Sequence, residues 1–150
     1  MKETIDEKDQ KILQILQENS SLSTHKISKK TLIPITTVNN RIKKLKKIGV
    51  IKKYTLDIDK GKIGFGLAAY IFVTLSLKDL KAHGAKVDDL IKEIKKNPSI
   101  ESVEHTTGNF DVVLKIHVRD INELNEYVVD TLGNLKGIER TNTAIILTKK

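Results

Sequence analysis

Residues 23–49 read STHKISKKTLIPITTVNNRIKKLKKIG, and the spacing of their apolar residues decides how the first sixty residues fold. Ile35, Val38, Ile42, Leu45 and Ile48 recur at intervals of three and four, which predicts an amphipathic helix. Pro34 suits its first turn and Gly49 its C-terminal stop. Upstream, Ser23 is placed to cap a short helix running to about Thr31 and burying Leu22, Ile27 and Leu32. Two helices joined by a short turn, the second amphipathic and basic, form a helix-turn-helix pattern.

Outward from this stretch, Thr4-Ile5-Asp6-Glu7 reads as a capping box with Thr4 as N-cap and Glu7 reaching back to it. It opens a helix that presents Ile12, Leu13 and Leu16 and stops at Asn19-Ser20-Ser21. Downstream, Val50 to Ile58 is β-prone and predicts a strand, a wing beside the helices.

Charge sharpens the reading. Between Asn19 and Leu56 stand ten Lys and Arg residues and no Asp or Glu. A folded surface of one sign repels itself unless a polyanion neutralises it, and interleaved acids that would support a solvated helix face are missing. At 100° per residue from Val38, the polar face of the second helix gathers Thr36, Asn40, Lys43, Lys44 and Lys47, flanked by Thr37 and Arg41. Asparagine can pair with adenine, threonine methyls can meet thymine methyls, and lysines neutralise phosphates. The wing adds Lys52 and Lys53. The expected partner is double-stranded DNA. Recognition of single strands needs several stacking aromatics, and the basic region has one, Tyr54.

Residues 1–60 hold 14 Lys+Arg against 7 Asp+Glu, whereas residues 61–150 hold 13 against 12. A boundary near residue 60 follows, with 59–64 as linker, giving domains 1–60 and 61–150. In the second domain Leu67–Leu77 predicts a strand, and Val87, Leu90, Ile91 and Ile94 mark a helix ending before Pro98. Strands at 100–107 and 111–118 follow, joined by the turn Gly108-Asn109-Phe110. Asp120 caps a helix burying Leu124, Val128 and Leu132, Gly137 breaks it, and 138–148 forms a last strand. The order βαββαβ is the ferredoxin-like arrangement, so the expected class is α+β. One face of such a sheet takes the helices; the other, carrying Tyr70 or Phe72, calls for a cover that self-association would supply.

No apolar run approaches the roughly 20 residues of a membrane span, and Met1–Asp6 lacks the apolar core of a signal peptide. With no cysteine, a cytoplasmic, nucleoid-associated location without disulfide or thiolate metal site is expected. His25, His83, His105 and His117 are scattered without metal-ligand spacing. Neither a catalytic residue nor a metal site nor a resident cofactor is expected.

The whole chain resembles the Lrp/AsnC, or feast/famine, family of transcription regulators. The resemblance is carried by Ile5-Asp6, Asp9 and Ile12-Leu13; by Thr37-Val38, Arg41-Ile42 and Leu45; by Gly49-Val50-Ile51, Tyr54 and Gly64; by Gly108-Asn109-Phe110-Asp111; and by Gly137-Ile138, Thr141 and Thr143. It implies a winged helix-turn-helix joined to a ferredoxin-like domain that dimerises through its sheet, with further assembly to octamers. It also implies a small amino-acid effector in clefts between effector domains, with Gly108, Asn109, Phe110, Asp111, Thr141 and Thr143 around it. Asp111 keeps a second reading as a turn carboxylate satisfied by nearby backbone N–H groups.

Three departures are visible. Leu32 and Pro34 stand where the family has a glycine turn and a capping serine, Lys26 and Lys46 where glutamate is common, and Asn109 replaces the first loop aspartate. Two other functions compete with a site-specific regulator: an architectural protein that wraps DNA with little preference, and an enzyme like the siroheme decarboxylases that share this family's look.

Overall fold

The computed structural model describes residues 4–147, which fall into two compact units divided between Asp57 and Ile58. The first unit contains α1 (Glu7–Glu18), α2 (Thr24–Thr31) and α3 (Ile35–Lys47). Ile12, Leu16, Ile27, Ile33, Val38 and Ile42 form its core, with Ile15, Leu22 and Ile51 packed against it. Ile12, Ile27 and Val38 are fully buried, each a transfer of roughly 1.5–3 kcal/mol.

The start of α1 differs from the expected box of Thr4 and Glu7. Asp6 is the N-cap: its carboxylate accepts the Asp9 N–H at 2.9 Å, while the Asp9 carboxylate accepts the Asp6 N–H at 3.3 Å. A tertiary partner for both carboxylates, described below, favours this pair. Ser23 caps α2 as expected, accepting the Lys26 N–H.

Leu32 does not join the core. It takes a left-handed conformation with φ 59° and is 91% exposed, while Ile33 fills the core position. The chain must reverse between α2 and α3, and one left-handed residue accomplishes this by turning its own side chain outward. Thr31 and Ser28 hold the turn, the Thr31 hydroxyl accepting the Ile33 N–H and the Ser28 hydroxyl donating to the Ile33 carbonyl. Pro34 is the N-cap of α3 rather than its first helical residue. Gly49, at φ 77°, ends the helix.

The predicted wing strand over 50–58 does not form: this segment is irregular, and no strand among the described residues pairs with it.

The second unit opens with a 3-10 turn, Gly61–Ile63, in place of a plain linker. Strands β1 (Leu67–Leu75), β2 (Ile100–His105), β3 (Val112–Val118) and β4 (Ile138–Ile145) form one antiparallel sheet in the order β2-β3-β1-β4. Thr148, expected at the end of the last strand, lies outside the described residues. Two helices, α4 (Leu77–Ala82) and α5 (Val87–Ile94), connect β1 to β2. Helix α6 (Ile121–Glu126), capped by Asp120, widens into a π-helical stretch over Tyr127–Leu132 before β4.

Alternation separates the two faces of the sheet. Ala69, Ile71, Val73, Val112, Leu114 and Ile116 are fully buried, with Leu80, Leu90, Ile94, Leu124 and Leu132 in the same core. Gly137 has φ 91°, and a Cβ there would lie 2.3 Å from Leu80 Cδ2, so the helix-to-strand break requires glycine twice over. On the open face Phe72 lies between Tyr70 and Phe110, with ring centroids 6.5 and 5.0 Å away. Farther along this face the Glu101 carboxylate bonds the Lys115 ammonium at 2.9 Å and the His117 ring.

Candidate nucleic-acid interface and effector loop

The core contacts of Val38, Ile42 and Leu45 turn the opposite side of α3 to solvent. Thr36, Asn40, Lys43 and Lys47 are exposed there, and Thr37 is half-buried beside them. Polar side chains therefore occupy the first turns of this face and cations the last two. Lys43 and Lys47 make no ion pair among the described residues. Lys52 and Lys53 are exposed on the irregular segment after α3 and line, with Leu13, Leu16, Gln17, Ser20, Ile51 and Tyr54, a cleft of about 300 Å³. Lys46 sits over the Tyr54 ring at 4.6 Å, tying this segment back to α3. Sequence reasoning on the recognition helix passes over α2, whose Lys26, Lys29 and Lys30 are exposed and extend the basic surface.

Arg41 is placed differently from its expected role on DNA. Its Nη1 donates to both Asp6 carboxylate oxygens at 2.7 Å and to Asp9 Oδ1 at 2.9 Å. The Asp9 side chain is fully buried and that of Arg41 22% exposed, while Asp6 is half-exposed, so the cluster runs from the interior of the unit to its surface. Lys44 leans the same way, with Nζ 3.8 Å from Asp9 Oδ2 and 3.5 Å from the Thr4 carbonyl. The bond from the Asp9 N–H, then Arg41, holds the Asp6 carboxyl below the usual range; Asp6 and Asp9 in turn raise the Arg41 guanidinium. Asp6, Thr37, Asn40, Arg41 and Lys44 line one hollow of about 320 Å³ on the flank of the reading face.

The second candidate site begins at the β2–β3 turn. Gly108 has φ 116°, a conformation other residues rarely take. Asn109 is exposed. The Phe110 carbonyl accepts the Thr106 hydroxyl at 2.7 Å, and the Phe110 ring packs on Phe72. Asp111 is tied to β1, its N–H donating to the Val73 carbonyl at 2.9 Å and its Oδ2 accepting the Leu75 N–H at 2.8 Å. Of the two readings of Asp111, the backbone-satisfied carboxylate is thus present in the fold. Its Oδ1 has no hydrogen bond among the described residues.

Thr141 and Thr143 stand on β4 opposite Val73 and Ile71. Thr143 lines a hollow of about 400 Å³ with Ile121, Asn122, Leu124, Asn125, Val128 and Ile145, which includes none of residues 108–111. Within one chain Thr143, beside α6, is therefore apart from the turn at 108–111, whereas Thr141 stands opposite Val73, whose carbonyl accepts the Asp111 N–H. Among the described residues no group of three His, Cys, Asp or Glu side chains is arranged to hold a metal, and no helix is long and apolar enough to cross a membrane.

Comparison with known proteins addresses both units. The model of the Lrp/AsnC ligand binding domain matches residues 68–150, and a winged helix-turn-helix DNA-binding model matches residues 5–52. The HTH-type transcriptional regulator FL11 of Pyrococcus horikoshii is 37% identical over an alignment covering 98% of this chain and 92% of that protein. Its counterpart from Pyrococcus furiosus is 34% identical with the same coverage. Among solved structures, a transcriptional regulator of Neisseria meningitidis in complex with L-Met superposes with a TM-score of 0.87 at 28% identity, covering 97% of this chain and 92% of that one. LrpC of B. subtilis shares the fold with a TM-score of 0.84 at 23% identity, covering 99% and 98%.

Proposed function

The chain belongs to the Lrp/AsnC family and is a DNA-binding transcriptional regulator rather than an enzyme; from that premise we propose that it reads a specific duplex sequence as a homodimer and answers to a small amino acid. The observation that carries the DNA half is the outward face of α3, where Thr36, Thr37 and Asn40 precede the exposed Lys43 and Lys47, which make no ion pair among the described residues. Bases are read at the N-terminal end of such a helix, and the cations behind it set affinity and salt dependence. Two copies related by a twofold axis then occupy successive major grooves, with half-sites about 10 base pairs apart or a multiple of it.

Dimerisation is proposed through the open sheet face, where Tyr70, Phe72 and Phe110 form an aromatic group that no helix among the described residues of the second unit covers. The effector, a small amino acid, is proposed to bind between C-terminal domains, using Gly108–Asp111 of one copy and the β4 threonines of another. The separation of Thr143 from the turn within one chain supports a shared site of that kind. Asn109 lowers the negative charge facing the ligand's carboxylate.

Selection of bound duplexes from a random pool by the full chain tests the DNA reading. A pseudo-palindromic consensus bound about 10³-fold or more above random DNA at physiological salt is expected. A ratio near one would replace the site-specific reading with the architectural one. A panel of amino acids, followed by sedimentation and by affinity for the selected duplex, tests the effector. Unchanged assembly and unchanged affinity across the panel would remove it.

A further inference from the structure

Asp6 breaks the rule of the surface it borders: a half-exposed carboxylate lining the same hollow as Thr37, Asn40 and Lys44, on a flank otherwise given to polar and basic groups. It is not idle there. Three carboxylate oxygens from Asp6 and Asp9 converge on Arg41 Nη1 within 2.9 Å, and Lys44, three residues further along α3, is drawn toward the same Asp9. Two contacts about one turn apart fix the rotation of α3 about its axis relative to α1. Arg41 follows Asn40 directly, so that rotation sets where the Asn40 amide points.

We infer that Asp6, acting with Asp9 through Arg41, is a positioning residue for DNA specificity: it withholds one guanidinium from the phosphate backbone and fixes the direction in which Thr36, Thr37 and Asn40 are presented. The inference rests on the proposed reading of α3 as the base-reading helix. A cation–phosphate contact strengthens binding to any sequence and in any register, including registers where Asn40 meets no base edge. Tying Arg41 to two carboxylates forgoes that general gain. Asp9, fully buried, would be left without its main partner if Arg41 turned to a phosphate, which opposes the exchange. The shifts of both groups, Asp6 downward and Arg41 upward, reflect the same pairing.

The test uses the full chain, the duplex it selects from a random pool, and a scrambled duplex of equal length and composition. Asp6→Asn keeps a good N-cap for α1 while removing the charge, so the helix start is preserved. It should bind the scrambled duplex several-fold more tightly, steepen the slope of log K against log salt by about 0.9 per protomer, and cut the selected-to-scrambled ratio about tenfold. A residue that merely caps α1 and carries a surface charge would change affinity for both duplexes alike and leave their ratio unaltered, and that result overturns the inference. Arg41→Met, which keeps the stem and removes the cation, should lower the ratio with the salt slope unaltered. A slope shallower by about 0.9 per protomer would place Arg41 on a phosphate and also overturn it. If the wild-type chain shows no preference for any duplex, the base-reading assignment of α3 fails instead.

Discussion

The outward face of α3 and the turn at 108–111 are both small polar surfaces, yet their hydrogen-bonding groups are used in opposite ways. On α3, Asn40, Lys43 and Lys47 are exposed, with no hydrogen bond or ion pair from their side chains among the described residues, and the fold below them rests on Val38, Ile42 and Leu45. At the turn, Thr106, Phe110 and Asp111 bond each other and the end of β1. The first surface should accept substitutions without disturbing the fold, whereas the second should not. Polar residues at a candidate site therefore need separate tests of stability and binding, since the same substitution means different things on the two surfaces.

The largest expected effect probes that contrast on the α3 side. Asn40→Ala should leave stability within about 0.5 kcal/mol, as an exposed substitution does. It should remove about 1–3 kcal/mol of discrimination at one base position of the selected duplex and its symmetry mate. Competition with single-base variants of that duplex reads this directly. Equal loss at every position would mean that Asn40 contacts backbone, and the contrast would blur.

On the other side, Asp111→Ala should destabilise the second unit by about 1–2 kcal/mol with no amino acid added, because the Leu75 N–H loses its acceptor in a part-buried place. Asp111→Asn, which retains a carbonyl oxygen, should recover most of the loss. Thermal unfolding of the full chain followed by hydrogen exchange at Leu75 distinguishes the two variants. An unmoved transition with Asp111→Ala would show that the carboxylate serves only a ligand, making the two surfaces alike.

Much of this contrast is legible in the sequence, and the misses share a cause. Periodicity locates α3 because three turns of apolar residues at three and four determine its buried side whatever surrounds it. Periodicity also carries the expectation one residue too far, to Leu32, where a single left-handed residue ends the helical phase. Helix α4 escapes because six residues with one buried leucine, Leu80, show no period, though Ser76 caps it by accepting the Asp79 N–H. The segment 50–58 has strand propensity without a strand partner, and propensity alone does not build a ladder. The Asp6–Arg41 pair joins residues 35 positions apart, beyond any local pattern, so a cation on the right helical flank reads as a DNA contact until its partner is seen.

A smaller effect is expected at Leu32. An exposed leucine at φ 59° gains no burial for its conformation, so Leu32→Gly should raise the stability of the first unit by about 1 kcal/mol. A higher denaturation midpoint with unchanged preference for the selected duplex is the expected result. A drop in stability would mean that the side chain is covered in solution, and a lost preference would add the turn to the reading surface.

The smallest expected effect lies on the open sheet face and depends on pH. Lys115 first, then His117, holds the Glu101 carboxyl below its ordinary value of 4.5. A carboxylate lowered in the folded state binds protons less readily there than in the unfolded chain, so it stabilises the fold above that ordinary value. The contribution is lost as pH falls through the lowered value, when Glu101 takes up a proton in the fold and releases both partners. With its side chain 41% exposed, solvent screens much of the gain, and the effect should be modest. Exchange of the β2 and β3 amides in wild type and Glu101→Gln checks this. Protection should be higher in the wild type near neutral pH, and the two proteins should converge in acid. A gap that persists in acid would show that Glu101 supports the sheet through shape and neutral hydrogen bonds, placing this face with the turn at 108–111 rather than with the charge-governed surface of α3.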